Sequence, residues 1–134
     1  MQEVSLLRGG IEVKTLKITT DNKICMIDIN MSDYKAIQKE LGGYFETVHT
    51  KIMYEYFKAP VIMLVDEEGR CKCLPLNVVG SYFYGTQEHG NPISGDVLLA
   101  LVVGEDFTGF TESDARQWMD KLLNDFPILK EGEE

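Results

Sequence analysis

Alternating apolar and polar residues predict the first strands of the chain. Over residues 11–20 the apolar side chains recur at nearly every second position, which is the period of a half-buried strand. The alternation shifts phase near Thr15, and this shift indicates a bulge. A turn at Asp21-Asn22 and the Ile- and Met-rich residues 23–29 complete a predicted hairpin.

Two other segments have the period of an amphipathic helix. The first follows Ser32, a good N-cap, and ends at Gly42, because glycine readily takes the left-handed conformation that closes a helix. The second follows Thr111, a capping residue that is followed by acidic residues in the first turn. Its apolar face continues to Pro127. Between them, Asn77 is predicted to cap a short third helix.

The middle of the chain predicts further strands. Residues 44–50 form a strand with two unlike faces, and residues 51–58 are predicted to continue it in extended form. The uninterrupted apolar run at residues 61–65 predicts a central strand that is covered on both faces. Residues 66–69 are then predicted to form a tight turn, with Gly69 at a positive φ, that returns the chain along residues 70–74.

Together these elements predict an α+β fold. The two hairpins and an apolar strand at residues 97–103 give a mostly antiparallel sheet of about five to six strands, with the two main helices packed on one face. A chain of 134 residues, 44% of them apolar, is expected to form a single domain. We divide it into an N-terminal hairpin (residues 1–29), a core (30–127) and an acidic tail (128–134), whose last five residues are expected to be solvated.

Charge and composition narrow the classes of function. The formal net charge is −9, of which −6 falls on residues 105–134. Such a chain is not expected to bind nucleic acid directly, because it would repel the phosphate backbone. Three cysteines, an odd number, favour reduced thiols in a cytosolic protein. The chain has no apolar run of roughly 18 residues and no basic-then-apolar secretion signal. We therefore expect a cytoplasmic protein that does not enter a membrane.

No motif in the sequence is a decisive signature of catalysis. Cys71 and Cys73 are separated by one residue rather than the two of a zinc-binding pair, and we expect buried thiols. The two histidines could serve a thiol nucleophile as a base, although no third group that would orient them is evident. Glu46 and Asp96 are expected to be solvated rather than to form a catalytic pair. We predict no catalytic residue, metal site or cofactor, and a protein that is not an enzyme.

Five short pieces in a fixed order resemble a known family. They read IQKELGGYFE, DEEGR, LPLN, GDVL and VGEDF, at residues 37–46, 66–70, 74–77, 95–98 and 103–107. This order is similar to that of domain of unknown function 3846, a family of small proteins from phages, plasmids and the bacteria that carry them. The family often has Arg after the Asn of its Leu-Pro-Leu-Asn piece, where this chain has Val78. Residues 1–29 lie where the family is variable.

The phage and mobile-element setting implies an interaction with host defence in a bacterial cell. Our leading hypothesis is a non-enzymatic module that sequesters a nucleotide-like immune signal. Tyrosine rings would stack on a base, a helix start would offer backbone amides, and basic side chains would contact phosphate. The residues expected to bind the ligand are Tyr44, Glu46, Lys51, Arg70, Asn77, Tyr82 and Tyr84.

Two further expectations concern macromolecular partners. The alternative to ligand binding is an acidic DNA mimic or protein-interaction module, in which the acidic C-terminal quarter acts on a host restriction enzyme or regulatory protein. Exposed edge strands and the Tyr-rich residues 52–57 also predict a homo-oligomer.

Overall fold

A computed structural model describes residues 13–132, which form one sheet with helices on both faces. In chain order the strands are β1 (Val13–Ile18), β2 (Lys23–Asp28), β3 (Phe45–Val48), β4 (Val61–Asp66), β5 (Val97–Val103), β6 (Asp106–Thr108), β7 (Phe110–Thr111) and β8 (Lys130–Glu131). The helices are α1 (Tyr34–Leu41), α2 (Lys51–Phe57), α3 (Val78–Tyr84), α4 (Thr86–His89) and α5 (Glu112–Asp125). None of these helices is long and apolar enough to cross a membrane.

The predicted α+β class with a mostly antiparallel sheet is confirmed. The main path of the sheet runs β3-β4-β5-β1-β2-β8, with β6 beside β5 and β7 beside β1. Every pair is antiparallel except β2 with β8. The described residues contain eight strands, more than expected, because three of them (β6, β7 and β8) are only two or three residues long.

The predicted hairpin of β1 and β2 is confirmed, but the bulge at Thr15 is wrong. Pairing between the two strands is continuous from Lys14 to Ile18. Thr15 is fully buried, and its hydroxyl donates to the carbonyl of Leu99 on β5. A satisfied polar side chain inside the sheet therefore explains the shift in the apolar pattern. The part of the predicted hairpin that precedes Val13 lies outside the described residues.

Helix α1 begins one residue later than predicted and ends as expected. Its N-cap is Asp33, not Ser32, because the Asp33 carboxylate accepts from the N–H of Ala36 at 3.2 Å. At the other end Gly42 takes the left-handed conformation with φ +89°.

The expectation that both main helices share one face is wrong. Helix α1 packs Ile37 and Leu41 against apolar residues on one face of the sheet, namely Cys25, Ile27, Ile62, Leu64, Leu98 and Ala100. Helices α2, α3 and α5 pack on the opposite face, in the larger core cluster. The predicted central strand accounts for this arrangement: all six residues of β4 are buried, so both of its faces require a cover.

Residues 51–57 form helix α2, so the prediction of an extended segment is wrong. Thr50 caps the helix by accepting from the N–H of Met53 at 3.2 Å. Met53 and Phe57, four residues apart, are both buried, which is the spacing of one helix face. The Ile, Met, Tyr and Phe residues that suggested a strand therefore belong to a short amphipathic helix.

Residues 70–74 do not form the predicted returning strand. They form consecutive turns instead. The Cys73 N–H donates to the Arg70 carbonyl, and the Leu74 N–H donates to the Gly69 carbonyl, each at 3.0 Å. Strand β4 already has β3 on one side and β5 on the other, so no edge is left for a further strand. The positive φ in this stretch belongs to Cys73 rather than to Gly69.

The cysteines and the C-terminal end also depart from expectation. Cys71 and Cys73 are exposed, whereas Cys25 is buried. The Thr111-capped helix α5 is confirmed. In the tail predicted at residues 130–134, Lys130 and Glu131 are exposed as expected but form strand β8, and residues 133–134 lie outside the described residues. Leu129 is buried, and β8 pairs in parallel with β2.

Candidate functional site

A groove of about 860 Å³ lies beside β3, and we call it the β3 groove. It is bounded by the edge strand β3, the turn after β4, the end of α3 and the loop that follows α4. Its lining residues are 46–50, 65–67, 69–71, 84 and 91–94. Three of the residues expected to bind a ligand line it, namely Glu46, Arg70 and Tyr84. The structure therefore brings Glu46, Arg70 and one of the expected tyrosines, Tyr84, to the same groove.

Three of the other expected residues lie outside the lining. Tyr44 precedes β3 and is 68% exposed. Lys51 begins α2 and forms an ion pair with Glu55 at 3.9 Å. Tyr82 lies on α3 outside the lining, and its ring packs against the rings of Phe83 and Phe126. The expected recess lined by several tyrosine rings is thus a groove lined by one.

Asn77 caps α3 as predicted, but its side chain is fully buried and serves the fold. Its Oδ1 accepts from the N–H of Gly80 at 2.8 Å. Its Nδ2 donates to the carbonyls of Ile18 and Gly95, each at 3.0 Å. Both amide hydrogens are used, so this side chain joins α3 to β1 and to the start of β5 and leaves no donor for a ligand.

One wall of the groove is held in place by backbone contacts. The N–H of Ile93 donates to the Ser81 hydroxyl at 3.0 Å, and Ser94 pairs with Leu76 across an isolated bridge. Gly69 lies against this wall so closely that a methyl group there would overlap the Ser94 carbonyl. The wall is therefore formed before any ligand binds. Sequence reasoning missed it because residues distant along the chain position it.

A partly buried ion pair lies at the turn that forms the other wall. The Asp66 side chain is 2% exposed, and Lys72 Nζ approaches it to 2.8 Å. The same Nζ donates to the Gly42 carbonyl at 3.0 Å. A methyl group on Gly43 would lie 2.5 Å from that Nζ. The two glycines thus have separate tasks, since Gly42 ends α1 and Gly43 makes room for Lys72.

Three charged residues line the groove, and their side chains have no side-chain partner within the described part of the chain. Glu46, Glu67 and Arg70 are exposed, and none forms a hydrogen bond or ion pair between side chains within residues 13–132. Asp66 also lines the groove, but Lys72 balances its charge. The groove therefore offers one guanidinium and two carboxylates to a bound molecule. Glu67 was missed because its carboxylate looked like part of a solvated turn.

The groove also contains the thiol of Cys71 and the imidazole of His49. Among the described residues, neither side chain hydrogen-bonds to the other. Across the described part of the chain, no group of three or more His, Cys, Asp or Glu residues is placed to hold a metal ion.

The acidic residues of the C-terminal quarter are partly paired with neighbours. Arg116 lies 3.7 Å from Asp120 and 3.5 Å from Glu131. Asp125 accepts from the Tyr56 hydroxyl at 2.7 Å and from Lys121 at 3.3 Å. The bond from Tyr56 is the main cause of a lowered Asp125 pKa. Some of the acidic side chains that could imitate DNA are therefore paired with other side chains of the same protein.

Comparison with known proteins bears on the sequence pieces that surround the groove. Gly43 of the double glycine accommodates Lys72, the DEEGR piece forms the turn beside the groove, and the LPLN piece supplies Asn77. A search of curated proteins and a search of solved structures each give no match. A family described as Domain of unknown function (DUF3846) has a model that matches residues 13–123. Because this match covers most of the chain, the chain belongs to the DUF3846 family.

Proposed function

We propose that this chain is a non-enzymatic binding module that holds a small nucleotide-like ligand in the β3 groove. The observation that carries the proposal is the set of unpaired charges, Glu46, Glu67 and Arg70, in a groove whose wall is already hydrogen-bonded. Because the wall at residues 93–94 is already held by contacts within the protein, less ordering of the backbone is needed on binding. The groove volume of about 860 Å³ lies in the range of small-molecule sites.

Each part of a nucleotide has a counterpart in the lining. The Tyr84 side chain lines the groove as an aromatic surface beside a bound base, and the Arg70 guanidinium suits a phosphate. Glu46 accepts from ribose hydroxyls or base amino groups. Tyr44 and Lys51 flank β3 at its two ends, so they would contact only a ligand that extends beyond the groove.

Binding is tested by isothermal titration calorimetry with AMP, ADP-ribose and cyclic di-AMP. We expect saturable one-site binding of at least one of these probes, and chromatography should recover it unchanged after incubation. Arg70→Gln should weaken binding by about tenfold or more, because a charge-assisted contact to phosphate is lost. Lys35→Gln is the matched control, since it removes one exposed positive charge from α1, on the opposite face of the sheet. Absence of heat with every probe would refute the proposal.

In a cell, capture of this kind would remove an immune signal and protect a phage or plasmid. The protein should therefore relieve a nucleotide-signalling defence when expressed in defended bacteria, and Arg70→Gln should not. The alternative, an acidic DNA mimic, predicts the reverse dependence. In that case Arg70→Gln would keep its effect, and neutralisation of Glu112, Asp114 and Asp120 would remove it.

Self-association remains part of the proposal. Strand β3 is at one edge of the sheet, and Tyr54 on α2 is 59% exposed, so a second copy could pair or pack there. Light scattering at increasing protein concentration tests this, and a constant mass of 15.2 kDa would refute it.

A further inference from the structure

We infer that the β3 groove selects a ligand with one anionic group and several hydrogen-bond donors, and that it disfavours polyanionic nucleotides. The inference rests on the proposed function and names its ligand class. It concerns the balance of charges among the lining residues, which the proposal of a nucleotide-like ligand leaves open.

Some of the charged groups in the lining are available to a ligand, and others are balanced within the protein. Glu46, Asp66, Glu67 and Arg70 line the groove. The Asp66 carboxylate accepts from Lys72 at 2.8 Å and from the N–H of Glu68 at 2.8 Å, so its charge is balanced within the protein. Two carboxylates and one guanidinium remain for a ligand.

This excess of negative charge limits the number of phosphates that the groove can bind favourably. A single phosphate on the ligand can pair with Arg70. Among the described lining residues, a further phosphate finds no second lysine or arginine, and it meets the carboxylates of Glu46 and Glu67. Like charges held close together in a partly enclosed site repel one another, so each added phosphate should weaken binding.

The two carboxylates also determine which groups the rest of the ligand must carry. An ionised carboxylate only accepts hydrogen bonds, so Glu46 and Glu67 require donors such as hydroxyl or amino groups. The Thr50 hydroxyl cannot add a donor of its own, because it already donates to the Phe83 carbonyl at 2.7 Å. A nucleoside monophosphate, with ribose hydroxyls, a base amino group and one phosphate, satisfies these requirements.

The inference is tested by calorimetry with adenosine, AMP, ADP and ATP at one fixed ionic strength. These compounds share a base and a sugar and differ only in phosphate number. We expect AMP to bind most tightly, adenosine to bind about tenfold more weakly, and ADP and ATP to lose about tenfold or more relative to AMP. Fixed ionic strength is needed because salt screens the charges under comparison.

Two variants assign the selectivity to named side chains. Arg70→Gln should remove the advantage of AMP over adenosine. The double variant Glu46→Gln, Glu67→Gln should bring ADP close to AMP, because the repelling charges are gone. Glu105→Gln is the control, since it removes an exposed carboxylate from the turn between β5 and β6, which does not line the groove. Circular dichroism checks that each variant is folded.

The outcomes separate the inference from the function on which it rests. Tighter binding of ADP, ATP or cyclic di-AMP than of AMP would overturn the inference and leave the binding function intact. An unchanged preference in the double variant would also overturn it. Silence with all four adenine compounds, ADP-ribose and cyclic di-AMP would overturn both.

Discussion

Substitution of Asn77 by aspartate tests how the LPLN piece holds the fold together. The native side chain is 0% exposed and has three partners, the N–H of Gly80 and the carbonyls of Ile18 and Gly95. Asn77→Asp keeps the shape and the oxygen that accepts from Gly80. It replaces the donating NH₂ group by an oxygen that faces two carbonyl oxygens.

The expected loss follows from the number of buried groups left without partners. Asn77→Ala orphans three backbone groups, each costing about 1–3 kcal/mol, and partial relaxation brings the loss to roughly 3–5 kcal/mol. This is a large fraction of the roughly 5–15 kcal/mol that stabilises a typical domain. Asn77→Asp should lose at least as much at neutral pH, because the introduced carboxyl must either stay charged while buried or take up a proton.

The same substitution has a pH dependence with a defined sign. Burial raises the folded-state pKa of an introduced carboxyl above its unfolded value of about 3.9. The folded variant then binds more protons than the unfolded one, so its stability falls as pH rises above that value. The gap between variant and native protein should therefore narrow between pH 7 and pH 4.

Urea denaturation followed by circular dichroism measures both effects. Asn30→Asp is the matched control, because Asn30 is exposed and its Oδ1, which accepts from Ser32 at 2.9 Å, persists as a carboxylate oxygen. The control should stay within about 0.5 kcal/mol of the native protein. If the stability of Asn77→Asp were also within about 0.5 kcal/mol of that of the native protein, the stabilising role assigned to the buried Asn77 hydrogen bonds would be refuted.

Three other predictions concern single contacts. Gly43→Ala should move the flexible end of Lys72 away from the buried Asp66 carboxylate and lower the free energy of unfolding by about 1 kcal/mol in urea titrations; a neutral result would contradict the steric reasoning. The hydrogen bond from Tyr56 lowers the pKa of Asp125, so its contribution is present above the unfolded pKa and is lost as pH falls through the folded value. Tyr56→Phe should flatten stability against pH in acid, and an identical acid profile would refute this. A thiol reagent should label two cysteines in the folded protein and a third only after unfolding, namely Cys71 and Cys73 before Cys25; equal rates would refute the burial difference.

Local chemistry made part of the fold predictable from sequence. The caps at Gly42, Asn77 and Thr111 were predicted because each depends on a residue and the turn beside it. The helix at residues 51–57 was missed because its composition favours a strand. Its signal was nevertheless present, since a Thr stands three residues before Met53, with Phe57 four residues further on.

Long-range placement set the limit for the rest. No local pattern shows that β4 has neighbours on both sides, and this arrangement is what forces residues 70–74 into turns. The candidate site divides in the same way. Glu46, Arg70 and Tyr84 could be singled out by type, but the wall at residues 91–94 depends on Ser81 and Leu76. Asn77 was singled out for a ligand, whereas its partners lie on β1 and before β5.

The order of strands has a consequence for biosynthesis. Strand β5 lies between β4 and β1, although it follows both by more than thirty residues along the chain. While a ribosome makes the protein, β1 with β2 and β3 with β4 can emerge as two separate ribbons, each with an open apolar edge. Residues 97–103 then join the two ribbons, because β5 pairs with both β1 and β4. Nascent chains that end before residue 97 should therefore aggregate. The complete chain should fold cooperatively, and only after β5 has been synthesised.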